Sequence, residues 1–160
     1  MRRLALTLLL ATLAGPVQAL SCMAPDAVWL YQQIKNDDAD YLLVKGTITL
    51  TEAPNLPAPA GMKTTEAFTK GRATGLALSA SGFDVPFDRA ITIRATCVAS
   101  WCGSPKGLSQ GTHIFAVQIE ADRLILERGP CGGLVQLWSK EEEARLLECH
   151  LKGNCELREF

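Results

Sequence analysis

Residues 41–51 read YLLVKGTITLT, and this stretch decides the fold class. β-Branched and aromatic residues dominate it, as in a strand that packs one face against a core. Gly46 in the middle of the run indicates a bend or a bulge. Residues 52–61, which follow, contain three prolines and predict a loop. We therefore expect a β-sheet whose first strand begins at Tyr41.

Four further segments carry strand patterns: residues 68–80, 90–99, 112–120 and 123–128. Ala121 and Asp122 are short enough to form a hairpin turn between the last two. Gly71 and Gly75 interrupt the first of the four and indicate strong coiling. We predict a mainly β fold, a five-stranded OB-like closed barrel, with an open β-sandwich as the alternative.

A helix is predicted at each end of the sheet. Apolar residues recur at helical spacing in residues 27–36, and Asp26 is a suitable N-cap. Ser139 and Glu142 form a capping-box pattern that opens a second helix ending near Cys149. The acidic run at residues 141–143 is expected to be a solvated first turn, favourable to the helix dipole.

The first nineteen residues predict a signal peptide. Arg2 and Arg3 precede an apolar run at residues 4–13, and Val17 and Ala19 supply small residues at the cleavage site. The run is too short to span a bilayer, which takes roughly 20 residues. Cleavage after Ala19 leaves one domain, residues 20–160, in the periplasm or medium. Lipidation at Cys22 and twin-arginine export are the weaker alternatives.

Composition excludes two classes of protein. The 160 residues include 16 basic and 17 acidic side chains, and removal of Arg2 and Arg3 leaves 14 basic ones, a charge of −3. Such a balance excludes a basic nucleic-acid-binding domain. A hydrophobic content of 48% excludes an acidic disordered segment and fits one compact domain.

All six cysteines follow the predicted leader, which favours three disulfides in an oxidising compartment. Of the 15 possible connectivities, spacing favours two local loops and one long tie. These pairs are Cys97–Cys102, Cys149–Cys155 and Cys22–Cys131. A zinc site built from Cys97, Cys102, Cys149 and His150 is the alternative, but no C-x2-C knuckle is present. The C-x4-C spacing also does not match the C-x-x-C redox motif.

The segment Ser100-Trp101-Cys102-Gly103, a polar loop and the strand at residues 112–120 resemble the netrin-like family, which includes the N-terminal domain of the tissue inhibitors of metalloproteinases. In that family a Cys-Gly pair precedes a strand, and a further cysteine ends the next strand, as Cys131 does after residues 123–128 here. The resemblance rests on cysteine order and strand spacing and spans most of residues 20–155.

The resemblance implies an OB-like fold, and it supports the same Cys22–Cys131 bridge. It also implies a contact ridge for a protein partner, formed by Leu20, Ser21, Cys22, Ser100, Trp101 and Gly103. This chain departs from the inhibitors at its start. Their first residue is a cysteine bonded to the Cys-Gly cysteine, whereas here it is Leu20, so that bridge cannot form and Cys97 replaces it as the partner of Cys102. The loss of a rigid amino terminus argues against metalloproteinase inhibition.

The sequence gives no pattern that favours catalysis. Its two histidines, His113 and His150, are expected at a strand start and in a disulfide turn. Asp84 and Asp88 flank Pro86 and are expected to form a turn rather than a general-acid pair. No serine-hydrolase, zinc-protease or phosphate-loop motif occurs. We therefore predict that the protein is not an enzyme.

A binding module for an unknown protein of the cell envelope or medium is the preferred prediction, with Trp101 as its best anchor. Trp29 and Trp138 are expected in the core. The alternative is an envelope OB barrel that binds glycan or lipid on its sheet face. We expect a monomer with no cofactor, no metal, no nucleic-acid partner and no integral membrane segment.

Overall fold

The computed structural model describes Cys22 and residues 26–158. The predicted leader, residues 1–19, and the predicted contact residues Leu20 and Ser21 lie outside the described residues. The described chain is mainly β with two helices, and three disulfides cross-link it. Neither helix within residues 26–158 has the length and apolar character needed to cross a bilayer.

The two helices begin where their caps predict. Helix α1 spans Ala27–Asn36, and the Asp26 carboxylate accepts two backbone hydrogen bonds from its first turn. Helix α2 spans Lys140–Lys152, and the Ser139 hydroxyl accepts one such bond. Helix α2 is longer than predicted, because it ends at Lys152 rather than near Cys149. Gly153 caps it, with a φ of 77° in the left-handed region that ends a helix.

The described residues form seven strands where five were predicted. They are β1 (Tyr41–Leu50), β2 (Thr65–Ser79), β3 (Gly82–Val98), β4 (Trp101–Cys102), β5 (His113–Glu120), β6 (Arg123–Arg128) and β7 (Val135–Leu137). The predicted bounds of β1, β5 and β6 agree with these to within one residue. The short strands β4 and β7 were not predicted.

Each of the five long strands pairs with two others. Strand β1 is antiparallel to both β2 and β5, β2 is antiparallel to β3, and β5 is antiparallel to β6. The parallel pairing of β3 with β6 closes this series of five long strands, which we call the circuit. The short strands add to it, β4 on β3 and β7 on β5.

The predicted turn around Pro86 is wrong. Strand β3 begins at Gly82, and Asp84 and Asp88 lie within it. Pro86 is opposite Leu76 of β2. Strand β6 pairs only with residues 92–95 of β3, so Pro86 occupies a part of the strand with a single described neighbour. Proline is tolerated on such an edge because its missing N–H is not needed for a second ladder.

Gly46 marks a close approach of two strands rather than the expected bulge. It lies opposite Gly75 of β2. A Cβ at Gly46 would come within 2.1 Å of the Thr74 carbonyl oxygen, and one at Gly75 would come as close to the Lys45 carbonyl oxygen. The register shift of the sheet lies instead in the pairing of β2 with β3, where Ala77 is opposite Val85 and Leu78 is opposite Phe83, so that Asp84 of β3 is the extra residue. Only a glycine pair permits this contact between β1 and β2.

Two apolar clusters use opposite faces of the sheet. On β5, Phe115 and Val117 belong to the cluster enclosed by the long strands, and Ile114 and Ala116 belong to the one under the helices. This follows from the two-residue period of a strand. Helix α2 contributes Leu146 to the second cluster. Trp29 and Trp138, predicted in the core, pack at its partly buried edge.

The acidic start of α2 is not the solvated run that was expected. Glu142 is only 3% exposed, and its carboxylate accepts a hydrogen bond of 2.8 Å from the Ala27 N–H at the start of α1. The neighbouring Glu143 accepts hydrogen bonds from Lys45 Nζ and Trp138 Nε1. Glu141 alone of the three is well exposed. These carboxylates therefore join α2 to α1 and to the sheet.

Candidate functional site

The best candidate site is the end of the hairpin formed by β3 and β4. Cys97 lies opposite Cys102, and Val98 lies opposite Trp101. Ala99 and Ser100 make the turn, with Ala99 at a φ of 54°. A left-handed alanine is uncommon and costs free energy, so the surrounding structure must hold it in place. We call residues 97–102 the hairpin tip.

A disulfide cross-links the two arms of the hairpin tip. Cys97 and Cys102 are bonded, and their Cα atoms are 3.9 Å apart. Cys97 is fully buried, so the bridge ties the tip to the core. The Gly103 N–H donates a 2.8 Å hydrogen bond to the Thr96 carbonyl, which adds a further link between the two arms. These two links constrain the backbone of the hairpin tip.

The outermost side chains of the hairpin tip are apolar. Val98 is 52% exposed and Trp101 is 50% exposed, and they face each other across the two strands. A cross-strand pair of an aromatic and a β-branched residue is favourable in a sheet. Tryptophan is also one of the residue types that are enriched among the anchors of protein interfaces. The arrangement can insert an apolar group into a pocket of a partner.

The described residues of the predicted ridge differ in their exposure. Cys22 is exposed and bonded to Cys131. Ser100 and Trp101 are exposed at the hairpin tip. Gly103 differs, because it is buried and a Cβ there would lie 1.8 Å from the Arg128 carbonyl oxygen. Gly103 therefore permits the hairpin to cross the end of β6, three residues before Cys131, and offers no side-chain contact.

Arg128 fixes the loop that follows the hairpin tip. Its Nε donates a 3.1 Å hydrogen bond to the Ser104 carbonyl, and its other guanidinium nitrogen binds the Gly132 carbonyl. Burial lowers the pKa of Arg128 from its usual value. The guanidinium thus connects the loop after the tip to the turn that contains Cys131, and it stabilises the ridge from beneath.

His113 is buried near Arg128. Burial lowers the pKa of its imidazole below 6.5, and the neighbouring positive charge of Arg128 lowers it further. Both effects favour the neutral imidazole. Its Nδ1 atom has no partner among the described residues. A buried ring at the start of β5 agrees with a structural role for His113.

His150 lies in α2 and not in the predicted disulfide turn. Its Nδ1 is 2.8 Å from the Tyr31 hydroxyl, and its Nε2 is 2.8 Å from the Ser79 carbonyl oxygen. The carbonyl can only accept, so Nε2 carries the proton in the neutral ring and Nδ1 accepts from the tyrosine. The histidine joins α1, α2 and the end of β2.

The disulfides exclude the zinc site that the sequence suggested as an alternative to them. Cys97, Cys102 and Cys149 are all bonded to other cysteines. A bonded cysteine has no thiolate to offer a metal. The described part of the chain contains no group of three or more histidine, cysteine, aspartate or glutamate side chains that could hold an ion.

Sequence analysis missed Val98 as a contact residue. The signal was nevertheless present in the C-x4-C spacing. If Cys97 and Cys102 pair across a two-residue turn, the residues between them and the turn, Val98 and Trp101, must also pair on one face. The position of Val98 thus follows once the disulfide is assigned.

Comparison with known proteins gives no relative: no protein-family model matches this chain, and neither a curated protein nor a solved structure is significantly similar to it.

Proposed function

We propose that this chain is an exported, disulfide-stabilised binding module that docks on another protein through the hairpin tip. The observation that carries the proposal is the exposed Val98–Trp101 pair on a backbone that the Cys97–Cys102 bridge constrains. A backbone that is ordered before binding loses little conformational entropy on binding, which increases affinity. The partner we expect is a protein with an apolar pocket that accepts one tryptophan.

The other residues of the predicted contact ridge form the rim of the proposed interface around Trp101. Cys22 and Cys131 are exposed near the end of β6, beside the segment that Gly103 contacts. An apolar centre with a polar surround is the usual anatomy of an interface. Leu20 and Ser21 precede Cys22 directly in the sequence. We include them in the proposed contact surface on this ground and on the resemblance to the netrin-like family.

We also propose that the circuit of five long strands is an OB-like closed barrel of the netrin-like type. The support is the pairing order, in which β1 has both β2 and β5 as neighbours and β3 joins β6 in parallel. Closing a sheet removes the long edges on which aggregation begins. It also holds the hairpin tip, an extension of β3, on a rigid frame.

The proposal assigns no catalytic role and places the mature protein outside the cytoplasm. Three disulfides suit an oxidising compartment, and residues 1–19 have the pattern of a signal peptide. Neither histidine is free to act on a substrate, since His113 is buried and His150 is bonded at both ring nitrogens. These features favour binding over chemistry.

The test is capture of a partner from periplasmic extract by the immobilised mature protein. We expect Trp101→Ala to weaken binding by about 30-fold, equivalent to roughly 2 kcal/mol for a central aromatic anchor. Leu20→Ala and Val98→Thr should each weaken it less. Val85→Thr is the matched control, because Val85 is 48% exposed on β3 outside the hairpin tip.

Circular dichroism and thiol counting establish that each variant is folded and fully oxidised. If the Trp101→Ala variant captures the same protein as strongly as the unaltered chain, the hairpin tip is not the binding surface. If Val85→Thr weakens capture as much as Val98→Thr does, the surface extends elsewhere on β3 and the proposal is wrong.

A further inference from the structure

The three disulfides of the described chain differ in the exposure of their cysteines. Cys22 and Cys131, which are bonded to each other, are both exposed. In each of the other two bridges one cysteine is buried, Cys97 completely and Cys149 to 3% exposure. A disulfide is reduced when an external thiolate reaches one sulfur and expels the other, so access to the two ends decides which bridge reacts. We call the Cys22–Cys131 bridge the long tie.

Cys131 lies in a tight turn next to an arginine. The Gly132 N–H donates a 3.0 Å hydrogen bond to the Gly129 carbonyl, which closes the turn around Cys131. The Arg128 guanidinium binds the Gly132 carbonyl, so its positive charge lies beside the residue that follows Cys131. Among the described residues, no carboxylate lies within 4.0 Å of the Arg128 nitrogens. A cation that is not neutralised by an ion pair stabilises a thiolate nearby, so Cys131 is the better leaving group of the long tie.

The bridge of the hairpin tip is poorly suited to reduction. An external thiolate would attack the exposed Cys102, and Cys97 would have to leave as a thiolate inside the core. The Cys97 Sγ lies 3.4 Å from the Pro57 carbonyl oxygen, whose partial negative charge would repel that thiolate. Burial of an unpaired charge is costly. The Cys97–Cys102 bridge should therefore persist under conditions that reduce the long tie.

The bridge that follows α2 is protected in a similar way, although it borders a cavity. Cys155 is partly exposed at a cavity of about 480 Å³, whereas Cys149 is buried in the last turn of α2. The carboxyl end of a helix carries a partial negative charge, which disfavours a thiolate there. Attack at Cys155 would have to expel Cys149 as that thiolate, so this bridge should also resist reduction.

We propose that the long tie is a thiol-exchange site, which an exported dithiol protein of the C-x-x-C class reduces reversibly. A thiolate of that protein attacks the Cys22 Sγ, forms a mixed disulfide and displaces Cys131 as a thiolate. The second thiol of the reductant then attacks the mixed disulfide, displaces Cys22 and closes the reductant's own disulfide. The long tie gains two electrons and two protons, and the dithiol loses them.

Reduction removes the cross-link between positions 22 and 131 while the other two bridges remain. Cys22 and Cys131 belong to the rim of the proposed interface, so their redox state would control whether that rim is cross-linked. This consequence rests on the proposed function. The exchange reaction does not, because it involves no partner at the hairpin tip, and the experiment below measures the exchange alone.

The experiment exposes the oxidised mature protein to reduced thioredoxin and quenches samples with acid at increasing times. Free thiols are alkylated with one reagent, and the remaining cysteines are alkylated with a second reagent after full reduction. Peptide mass spectrometry then assigns each label. We expect Cys22 and Cys131 to be reduced at least about tenfold faster than the other four cysteines. A thioredoxin that lacks its resolving cysteine should be trapped as a mixed disulfide with Cys22.

Arg128→Gln should slow reduction of the long tie by about threefold, because a less acidic thiol leaves more slowly. Arg128→Lys keeps the positive charge and should be reduced at the unaltered rate, which separates the effect of charge from a change in fold. Arg123→Gln, at an exposed position of the same strand, is the matched control and should have no effect.

Four results would overturn the proposal. They are a long tie that thioredoxin leaves intact, reduction of either other bridge at the same rate, a mixed disulfide formed at Cys131, and an equal slowing by Arg123→Gln and Arg128→Gln.

Discussion

Two disulfides close loops of nearly the same length in very different surroundings. Cys97–Cys102 and Cys149–Cys155 join residues 5 and 6 positions apart. The first lies behind the exposed apolar pair of the hairpin tip. The second turns the chain after α2 so that Arg158 returns to the helices. Similar cross-links thus serve an exposed surface in one region and a buried charge cluster in the other.

The buried cluster consists of Asp26, Glu142, Arg145 and Arg158, which we call the charge cluster. Arg145 binds Asp26 at 3.0 Å and Glu142 at 3.1 Å, and Arg158 binds Glu142 at 2.8 Å. Both carboxylates are almost fully buried. We infer from the comparison that the charge cluster contributes to stability, and we propose that the hairpin tip serves as a contact surface. The predictions below test that division of roles.

The largest effect should come from breaking the charge cluster. Glu142→Ala leaves the Ala27 N–H without its acceptor and removes a carboxylate from Arg145 and Arg158. The unpaired Ala27 N–H and the lost charge-assisted hydrogen bonds should together cost about 3 kcal/mol of unfolding free energy, at the low end for a buried ion pair because Arg145 and Arg158 are partly exposed. Urea denaturation measures it. Glu141→Ala, at an exposed position in the same turn, should cost less than about 0.5 kcal/mol; equal losses would refute the assigned role.

The second prediction distinguishes the roles of the two local disulfides, Cys97–Cys102 and Cys149–Cys155. Replacing either pair by alanine should lower the free energy of unfolding by roughly 2 kcal/mol, because the chain-entropy model gives similar values for loops of this size. Only Cys97→Ala with Cys102→Ala should also weaken partner capture, since it frees Val98 and Trp101 to move. Capture that falls equally after Cys149→Ala with Cys155→Ala would remove the distinction between the regions.

The third effect is pH dependence, with one window from His113 at the start of β5 and one from Asp26 of the charge cluster. His113, near Arg128, has a pKa lowered by burial and by that charge, so its contribution to stability is complete above pH 6.5 and is lost as pH falls through the folded-state value. For Asp26, burial raises the pKa, but hydrogen bonds from Arg158, Arg145 and the first turn of α1 lower it overall. Its contribution is present above pH 3.8 and is lost at lower pH.

Stability measured by urea denaturation from pH 7.5 to 3 should therefore fall in two stages. His113→Gln should flatten the stage below pH 6.5, and Asp26→Asn the one below pH 3.8. A profile that His113→Gln leaves unchanged would contradict the burial of a neutral imidazole.

The smallest effect on stability should come from the hairpin tip itself. Trp101→Ala removes a side chain that is half-exposed, so the unfolding free energy should change by no more than about 1 kcal/mol. Thermal denaturation checks this. A loss near that of Glu142→Ala would show that Trp101 is a packing residue, and the contrast between the two regions would disappear.

Local sequence signals predicted much of the fold. The caps at Asp26 and Ser139 and the apolar period of residues 27–36 place the helices, because these signals act within one or two turns. The burial of Glu142 could not be predicted in this way. Its partner is the Ala27 N–H, 115 positions away, and only the packing of α2 on α1 brings the two together.

The candidate site was predictable in part for the same reason. The C-x4-C spacing is local, and it implies the Val98–Trp101 pairing once the disulfide is assigned. The burial of Gly103 against the Arg128 carbonyl depends on where β6 ends. The extension of β3 through Pro86 likewise depends on which strands flank it. Neighbour relations of this kind are set by topology and not by a residue's own propensity.

Site-specific photocrosslinking tests the central claim most directly. A benzoylphenylalanine is placed at position 98 in one sample and at position 85 in another, since Val98 and Val85 have similar exposure on the same strand. Irradiation in periplasmic extract should give a discrete crosslinked product from position 98 and none from position 85. An excess of unaltered mature protein should abolish that product, and an excess of the Trp101→Ala variant should not. The same products from both positions, or none from position 98, would contradict the account.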